Sequence, residues 1–195
     1  VSRGAKRLVL LSGRGEAGAR DAEIRLQKSG ADWTIVRCSV FNQNFSESFA
    51  DAIRFGNLSM PVGDIQEPFV DAEDIADVVF AALTDVRHIG QMYELTGPRL
   101  LTLPQVAEEL SKALGRKVHF EAVSVDEYAL ELVQHGFSEE EAQPISQLIA
   151  DVLDGRNATL AHGVQQALGR EPRDFSQFAR EEAEAGTWGL ERAVS

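Results

Sequence analysis

The sequence predicts an α/β protein that opens on parallel strands and turns mainly helical. Leu8-Val9-Leu10-Leu11 is a continuous apolar run, the pattern of a parallel strand buried on both faces. Residues 17–29 read as a helix stopped by Gly30, and Trp33 to Val36 form a second buried strand. That spacing supplies the crossover that parallel pairing needs. Three capping boxes in the second half then mark successive helix starts.

The remaining elements follow from local signals. A helix is expected over Asn44 to Phe55, closed by Gly56, with a short strand at Leu58-Ser59-Met60 before Pro61. An extended piece, Glu67 to Val70, leads into a helix in which Ile75, Val78, Val79 and Leu83 recur at helical spacing, capped by Asp71 or Asp74. Gln91 to Leu95 alternate like a strand, and Thr96-Gly97-Pro98 turns the chain. Thr102 with Gln105 opens a helix that runs to Leu114 and stops at Gly115. Lys117 to Val123 give one more strand, and Ser124 with Glu127 and Ser138 with Glu141 open two further helices. Gly155, Gly163, Gly169 and Gly186 break the rest into short helices. The expected organisation is 1–98 as an α/β part and 99–195 as a mainly helical part.

The first strand runs into Gly13-Arg14-Gly15-Glu16-Ala17-Gly18, which spells G-x-G-x-x-G. In a dinucleotide fold such glycines bring the backbone close to a pyrophosphate at a helix N-terminus. Here the motif reads as a decoy. An acidic residue should close the next strand to bind the ribose, yet that strand ends on Arg37-Cys38-Ser39. An arginine there could instead take the extra phosphate of NADP. The stronger objection is that only short strands follow residue 60, too few to complete a doubly wound sheet from this start.

Composition narrows the function classes. With 195 residues, 44% of them apolar, the chain can build a real core. The net charge is −12, while residues 1–30 carry seven basic and three acidic side chains. Such a chain repels phosphate backbones and anionic membranes, and Arg14, Arg20, Arg25 and Lys28 read as the solvated face of a helix, so neither nucleic acid nor membrane is an expected partner. No apolar run approaches a membrane span and no signal-peptide core stands at the start, so a cytoplasmic location is expected. Cys38 is the only cysteine, which rules out an internal disulfide. His88, His119, His135 and His162 stand apart without ligand spacing, and no metal site is expected.

Several segments together resemble the NmrA-like branch of the short-chain dehydrogenase/reductase superfamily. They are Leu10-Leu11-Ser12-Gly13, Asp32 to Arg37 with Phe41-Asn42-Gln43-Asn44-Phe45, Pro68 to Ala76, and Tyr93 to Pro98. The tail, Val152 to Asn157 with Leu168 to Phe175, is most similar to bacterial relatives of the reductases of ergot alkaloid assembly. The resemblance implies that Leu8 to Ser12 is the fifth strand of the family's sheet. The chain would then be the C-terminal part of a Rossmann-like parallel sheet with a helical substrate-binding region. The pyrophosphate loop would lie upstream, in a half this sequence lacks, so NADP or NAD would bind weakly or not at all to this chain alone.

The family's usual chemistry pairs a strand-end serine with a Tyr-x-x-x-Lys dyad, in which the lysine lowers the tyrosine pKa for proton exchange. Ser12 stands where that serine would be, but no tyrosine precedes Tyr93. Lys28, the helix's only lysine, lies nine residues beyond Ala19, ~13 Å along the axis and away from the strand ends. With the dyad absent, one reading is an oxidoreductase for an activated small-molecule acceptor, an iminium or conjugated electrophile, which needs positioning more than acid. The other is a non-catalytic NAD(P)-sensing regulator that reports to a protein partner.

By position, Ser12, Gly13, Cys38, Ser39, Val40 and Phe41 are the cofactor-side candidates, since ligands of open sheets bind beyond the strands' carboxyl ends. A proline is common in the family where Cys38 stands. Phe41, Asn44, Phe45 and Tyr128 are the substrate-side candidates, with core packing and, for Asn44, helix capping as the plainer readings. Cys38 is expected to be inert, and Asp71 and Asp74 to cap and close loops rather than move protons. An apolar first strand left at a sheet edge predicts self-association.

Overall fold

The computed structural model describes residues 4–189. The chain forms two compact units whose segments interleave along the sequence. Unit 1 takes the chain up to Gln43, Pro68–Leu100 and Thr159–Phe175, and unit 2 takes Asn44–Glu67, Leu101–Ala158 and the chain from Ser176.

Unit 1 is an α/β layer structure. Strands β1 (Arg7–Gly13), β2 (Asp32–Cys38) and β4 (Gln91–Leu95) pair in parallel in the order β1-β2-β4. The register sets Leu11 beside Val36 and Val36 beside Tyr93, then Ser12 beside Arg37 and Arg37 beside Glu94. Helix α1 (Ala17–Gln27) makes the crossover from β1 to β2, as the spacing predicts. Because successive strand residues face opposite sides, each row of register partners belongs to one face. Val36, Cys38, Tyr93 and Leu95 are packed with Val70, with Ile75 and Val78 of α3 (Ala72–Thr84), and with Val164 of α7 (Gly163–Leu168) in one apolar core. The opposite face carries the row Ser12, Arg37 and Glu94, under α1.

Asp71 is the N-cap of α3, its carboxylate accepting from the Glu73 N–H at 2.9 Å. Asp74 does not cap. It is fully buried and accepts from Arg170 Nη1 at 2.6 Å and from the Arg173 N–H at 2.7 Å, which holds the 170–173 loop. Gly163 stands at the boundary that opens α7, where a Cβ would collide with the Glu94 carbonyl.

Unit 2 holds a two-stranded parallel sheet of β3 (Asn57–Met60) and β5 (His119–Ala122), with α4 (Leu103–Leu114) packed on β5. The three capping boxes form as the sequence predicts: Thr102 with Gln105 at α4, Ser124 with Glu127 at α5 (Val125–Gln134), and Ser138 with Glu141 at α6 (Glu139–Val152). Helices α5 and α6 pack together. After α8 (Phe175–Ala185), Trp188 is buried and donates its indole N–H to the Phe45 carbonyl at 2.9 Å.

The helix expected over 44–55 is a correction. A 3-10 turn spans Asn42–Phe45, and α2 covers only Ala50–Phe55, with Phe49 rather than Asn44 at its N-cap. Asn42 and Gln43 turn their side-chain nitrogens to Asp71, and Gln43 Oε1 accepts from the Ala72 N–H at the start of α3, instead of opening a helix of their own. Gly56 closes α2 at φ 82, a left-handed position that glycine alone takes at no cost. Among the described residues no helix is long and apolar enough to cross a membrane.

Candidate functional site

The carboxyl ends of β1 and β2 carry a continuous polar network. Ser12 Oγ donates to Glu23 Oε1 at 2.6 Å, and Glu23 is gripped by Arg37 through Nε at 2.8 Å and Nη2 at 2.7 Å. Arg37 Nη1 reaches Glu94 at 3.1 Å, Arg14 Nε reaches the same carboxylate at 3.2 Å, and Arg14 Nη1 donates to the Thr159 carbonyl at 2.7 Å. Glu23 is only 3% exposed. The paired guanidinium outweighs the cost of burial and holds its carboxyl below the ordinary glutamate range, while Arg37 is held more firmly protonated by Glu23. Arg37 is therefore committed to an ion pair and not free for an NADP phosphate, and the Ser12 proton is committed to a carboxylate.

The glycine-rich turn carries an acidic side chain. The Glu16 carboxyl folds against Gly13, where a Cβ would otherwise sit, and places a carboxyl group at the start of α1. A second anion is disfavoured there by like-charge repulsion. Gly13 itself pairs with Cys38 in the register, and the Arg14 N–H donates to the Cys38 carbonyl at 3.1 Å.

Beyond β2 the segment Ser39-Val40-Phe41-Asn42 is threaded beside Val70. The Ser39 N–H donates to the Leu95 carbonyl, the Val70 N–H to the Val40 carbonyl, and the Asn42 N–H to the Val70 carbonyl. Phe41 bridges Val70 and stays 37% exposed. Cys38 lies in the core, where burial pushes its thiol up to about 12. Two polar atoms of this segment are buried without a hydrogen-bond partner among the described residues: Ser39 Oγ and Asn42 Oδ1. A buried orphan of this kind costs about 1–3 kcal/mol, so each atom would gain from a hydrogen-bonding partner. The amide nitrogen of Asn42 is held by Asp71 at 3.3 Å. The two atoms are a hydroxyl that can donate and a carboxamide oxygen that can only accept.

The structure thus brings Ser12, Gly13, Cys38, Ser39, Val40 and Phe41 into unit 1, the first three at register-paired strand ends. The other substrate-side candidates lie in unit 2 and have separate surroundings. Asn44 accepts from the Phe49 N–H through its carbonyl, and Phe45 is buried with its ring 5.7 Å from that of Phe49. Tyr128 lines a groove of about 510 Å³ between α2, β3 and α5, together with Phe49 and Glu131. Sequence reasoning missed Asn42, Glu23 and Glu131. Asn42 stands inside the quoted Phe41 to Phe45 stretch, so only its burial was hidden.

The NmrA-like family model matches residues 21–176. An NAD(P)H azoreductase of Xenophilus azovorans is 33% identical over 192 residues, covering 93% of this chain and 67% of that protein. Agroclavine dehydrogenase of Claviceps fusiformis is 34% identical, covering 91% of this chain and 64% of that one. The chain spans about half to two thirds of the length of such curated relatives. Among solved structures, the NADPH complex of the quinone oxidoreductase QOR2 from Escherichia coli superposes with a TM-score of 0.78 at 22% identity, covering 91% of this chain and 66% of that one, which fixes the fold. The match across most of the sequence and these relatives agree: the chain belongs to the NmrA-like family.

Proposed function

We propose that this chain carries the nicotinamide-side site of an NAD(P)-dependent oxidoreductase that reduces an activated small-molecule acceptor, an iminium or conjugated electrophile. The observation that carries the reading is the pair of orphaned buried atoms, Ser39 Oγ and Asn42 Oδ1, in the segment leaving β2. They suit the two ends of a carboxamide. The names of the azoreductase and the agroclavine dehydrogenase support reductive chemistry. A bound nicotinamide would supply the hydride; the residues of this chain would orient the ring and exclude water. With Ser12 committed to Glu23, no hydroxyl on β1 is left to protonate an acceptor, which favours acceptors that already carry the activating charge. Pyrophosphate binding would fall to residues other than the Gly13 turn.

The test is a titration of the chain with NADPH, NADH and nicotinamide mononucleotide, followed by saturation-transfer NMR on the nicotinamide protons. Weak binding with transfer that is lost in Asn42→Ala supports the reading. Low-micromolar NAD(P)H affinity that is lost in Gly15→Ala would overturn it and restore the glycine turn as the cofactor loop. A second reading, a regulator that binds NAD(P) without turnover, is favoured by the captured Ser12 and the missing dyad. Bound cofactor that never reduces any activated acceptor would select it.

A further inference from the structure

The groove of unit 2 has about 510 Å³ of space, within the range of small-molecule sites. Phe49, Phe55, Tyr128 and Phe137 line it, with the carboxylates of Asp51 and Glu131; no lysine or arginine joins them among the described residues, and the one basic side chain, His135, turns its Nδ1 to the Glu131 backbone carbonyl at 2.7 Å. Asp51 is partly neutralised by Arg54 at 2.9 Å. Glu131 has no cationic partner among the described residues, so its charge stands uncompensated beside the aromatic wall. Tyr128 is 8% exposed, yet its hydroxyl makes no hydrogen bond among the described residues. Burial, with Glu131 adding to it, pushes that phenol up to about 12, which keeps it a neutral donor. Aromatic faces and an unpaired carboxylate attract the same kind of ligand, since both present negative potential.

We propose that this groove binds a small organic cation with an aromatic body, its positive charge set against Glu131 and its ring against Phe49, Phe55 and Phe137. An anion would meet two carboxylates against a single imidazole, that of His135. A neutral arene would fill the space and leave Glu131 unused. The proposal deepens the oxidoreductase reading by naming the class of molecule unit 2 takes, and it rests on that reading only for the ligand's fate.

Binding is therefore measured on the full chain without any nicotinamide cofactor, by calorimetry or ligand-observed NMR. The probes are N-methylquinolinium, its neutral isostere 1-methylnaphthalene and the anion 1-naphthalenesulfonate. The expected result is a preference of about tenfold for the cation over the neutral probe, the scale of a partly desolvated cation on aromatic faces, with no binding of the anion. Glu131→Gln should remove most of that preference while leaving the neutral probe unchanged, and Phe137→Ala should weaken both. Equal affinity for all three probes, preference for the anion, or no binding of the cation would overturn the proposal. So would a cation preference that survives Glu131→Gln. The charge series on the unsubstituted chain decides the matter even where a variant fails to fold. Cation binding without any NAD(P)H-dependent reduction would count against the oxidoreductase reading alone.

Discussion

Ser12 Oγ and Glu23 Oε1 lie 2.6 Å apart, the hydroxyl donating to a carboxylate that Arg37 already holds by two of its nitrogens. The contact turns a strand-end serine into part of a structural network that joins β1, α1, β2 and β4. A proton shared with a buried carboxylate is not available to a substrate oxygen. The unit's ordered strand ends and its lack of an acid on β1 therefore have one cause.

Glu23→Ala should destabilise unit 1 by about 3 kcal/mol, the lower end for breaking a buried ion pair, because Arg37 keeps some solvent contact. The native carboxyl titrates below its ordinary value of 4.5. Its contribution to stability is thus present above that value and is lost as pH falls through the lower native one. Urea unfolding across pH should show the acid-side decline in the unsubstituted chain and a flatter curve in Glu23→Gln. Parallel curves would contradict this account.

Cys38 should not react with a thiol reagent in the native chain. Its burial and its thiol value of about 12 leave almost no thiolate at neutral pH. Labelling should appear only on unfolding, so its rate should track denaturant. Prompt native labelling would show that the end of β2 opens to solvent.

Gly163→Ala should cost about 1–3 kcal/mol, the range for forcing an extra methyl into a packed contact, because the added Cβ meets the Glu94 carbonyl backbone and not a side chain that can swing away. Gly18→Ala is the control, since nothing lies within 4 Å of a Cβ there. Denaturation midpoints of the two variants give the comparison, and equal midpoints would show that α7 shifts freely.

Much of the fold was legible because its signals are local. Thr102 with Gln105 and Ser138 with Glu141 announce helix starts within four residues, and Leu8 to Leu11 announce a strand by composition alone, but its expected burial on both faces is a correction: β1 is a sheet edge, half-buried, with Leu11 54% exposed. The break at 42–50 was not legible. Asn42 and Gln43 are drawn to Asp71 across 29 and 28 residues of sequence, and no local pattern reports such a partner. The site divides in the same way. The missing tyrosine and misplaced lysine could be read directly, whereas the fate of Ser12 depended on Glu23 turning inward from a helix face that looks solvated in sequence. Arg37 looked available for a phosphate because its two acidic partners lie 14 and 57 residues away.

The outer edge of β1 should drive self-association. In the order β1-β2-β4 it is a sheet edge, Leu11 is 54% exposed on the side of α3, and Phe80 of α3 is 69% exposed. An open apolar edge of this kind pairs with another chain unless something covers it. Light scattering should report a mass that rises with concentration, and Leu11→Lys should lower it. A monomer that is stable on concentration would mean that this edge is protected.

The last expectation concerns chemistry, measured on any form of the protein that reduces an activated acceptor. Ser12→Ala should change the rate constant by less than about threefold, since a lone hydroxyl bonded to Glu23 is not an oxyanion donor, whose loss costs about a hundredfold or more. Phe41→Ala should cost more than Ser12→Ala. Phe41 leaves the carboxyl end of β2 with its ring partly exposed, so its removal opens the wall that would hold an acceptor against the nicotinamide. Both variants are compared on one iminium substrate, with kcat and KM separated. A Phe41 effect concentrated in kcat marks lost alignment, whereas one confined to KM marks lost contact only. A hundredfold loss at Ser12 with Phe41 nearly neutral would show that the serine escapes Glu23 during turnover and that acid catalysis, not positioning, carries the reaction.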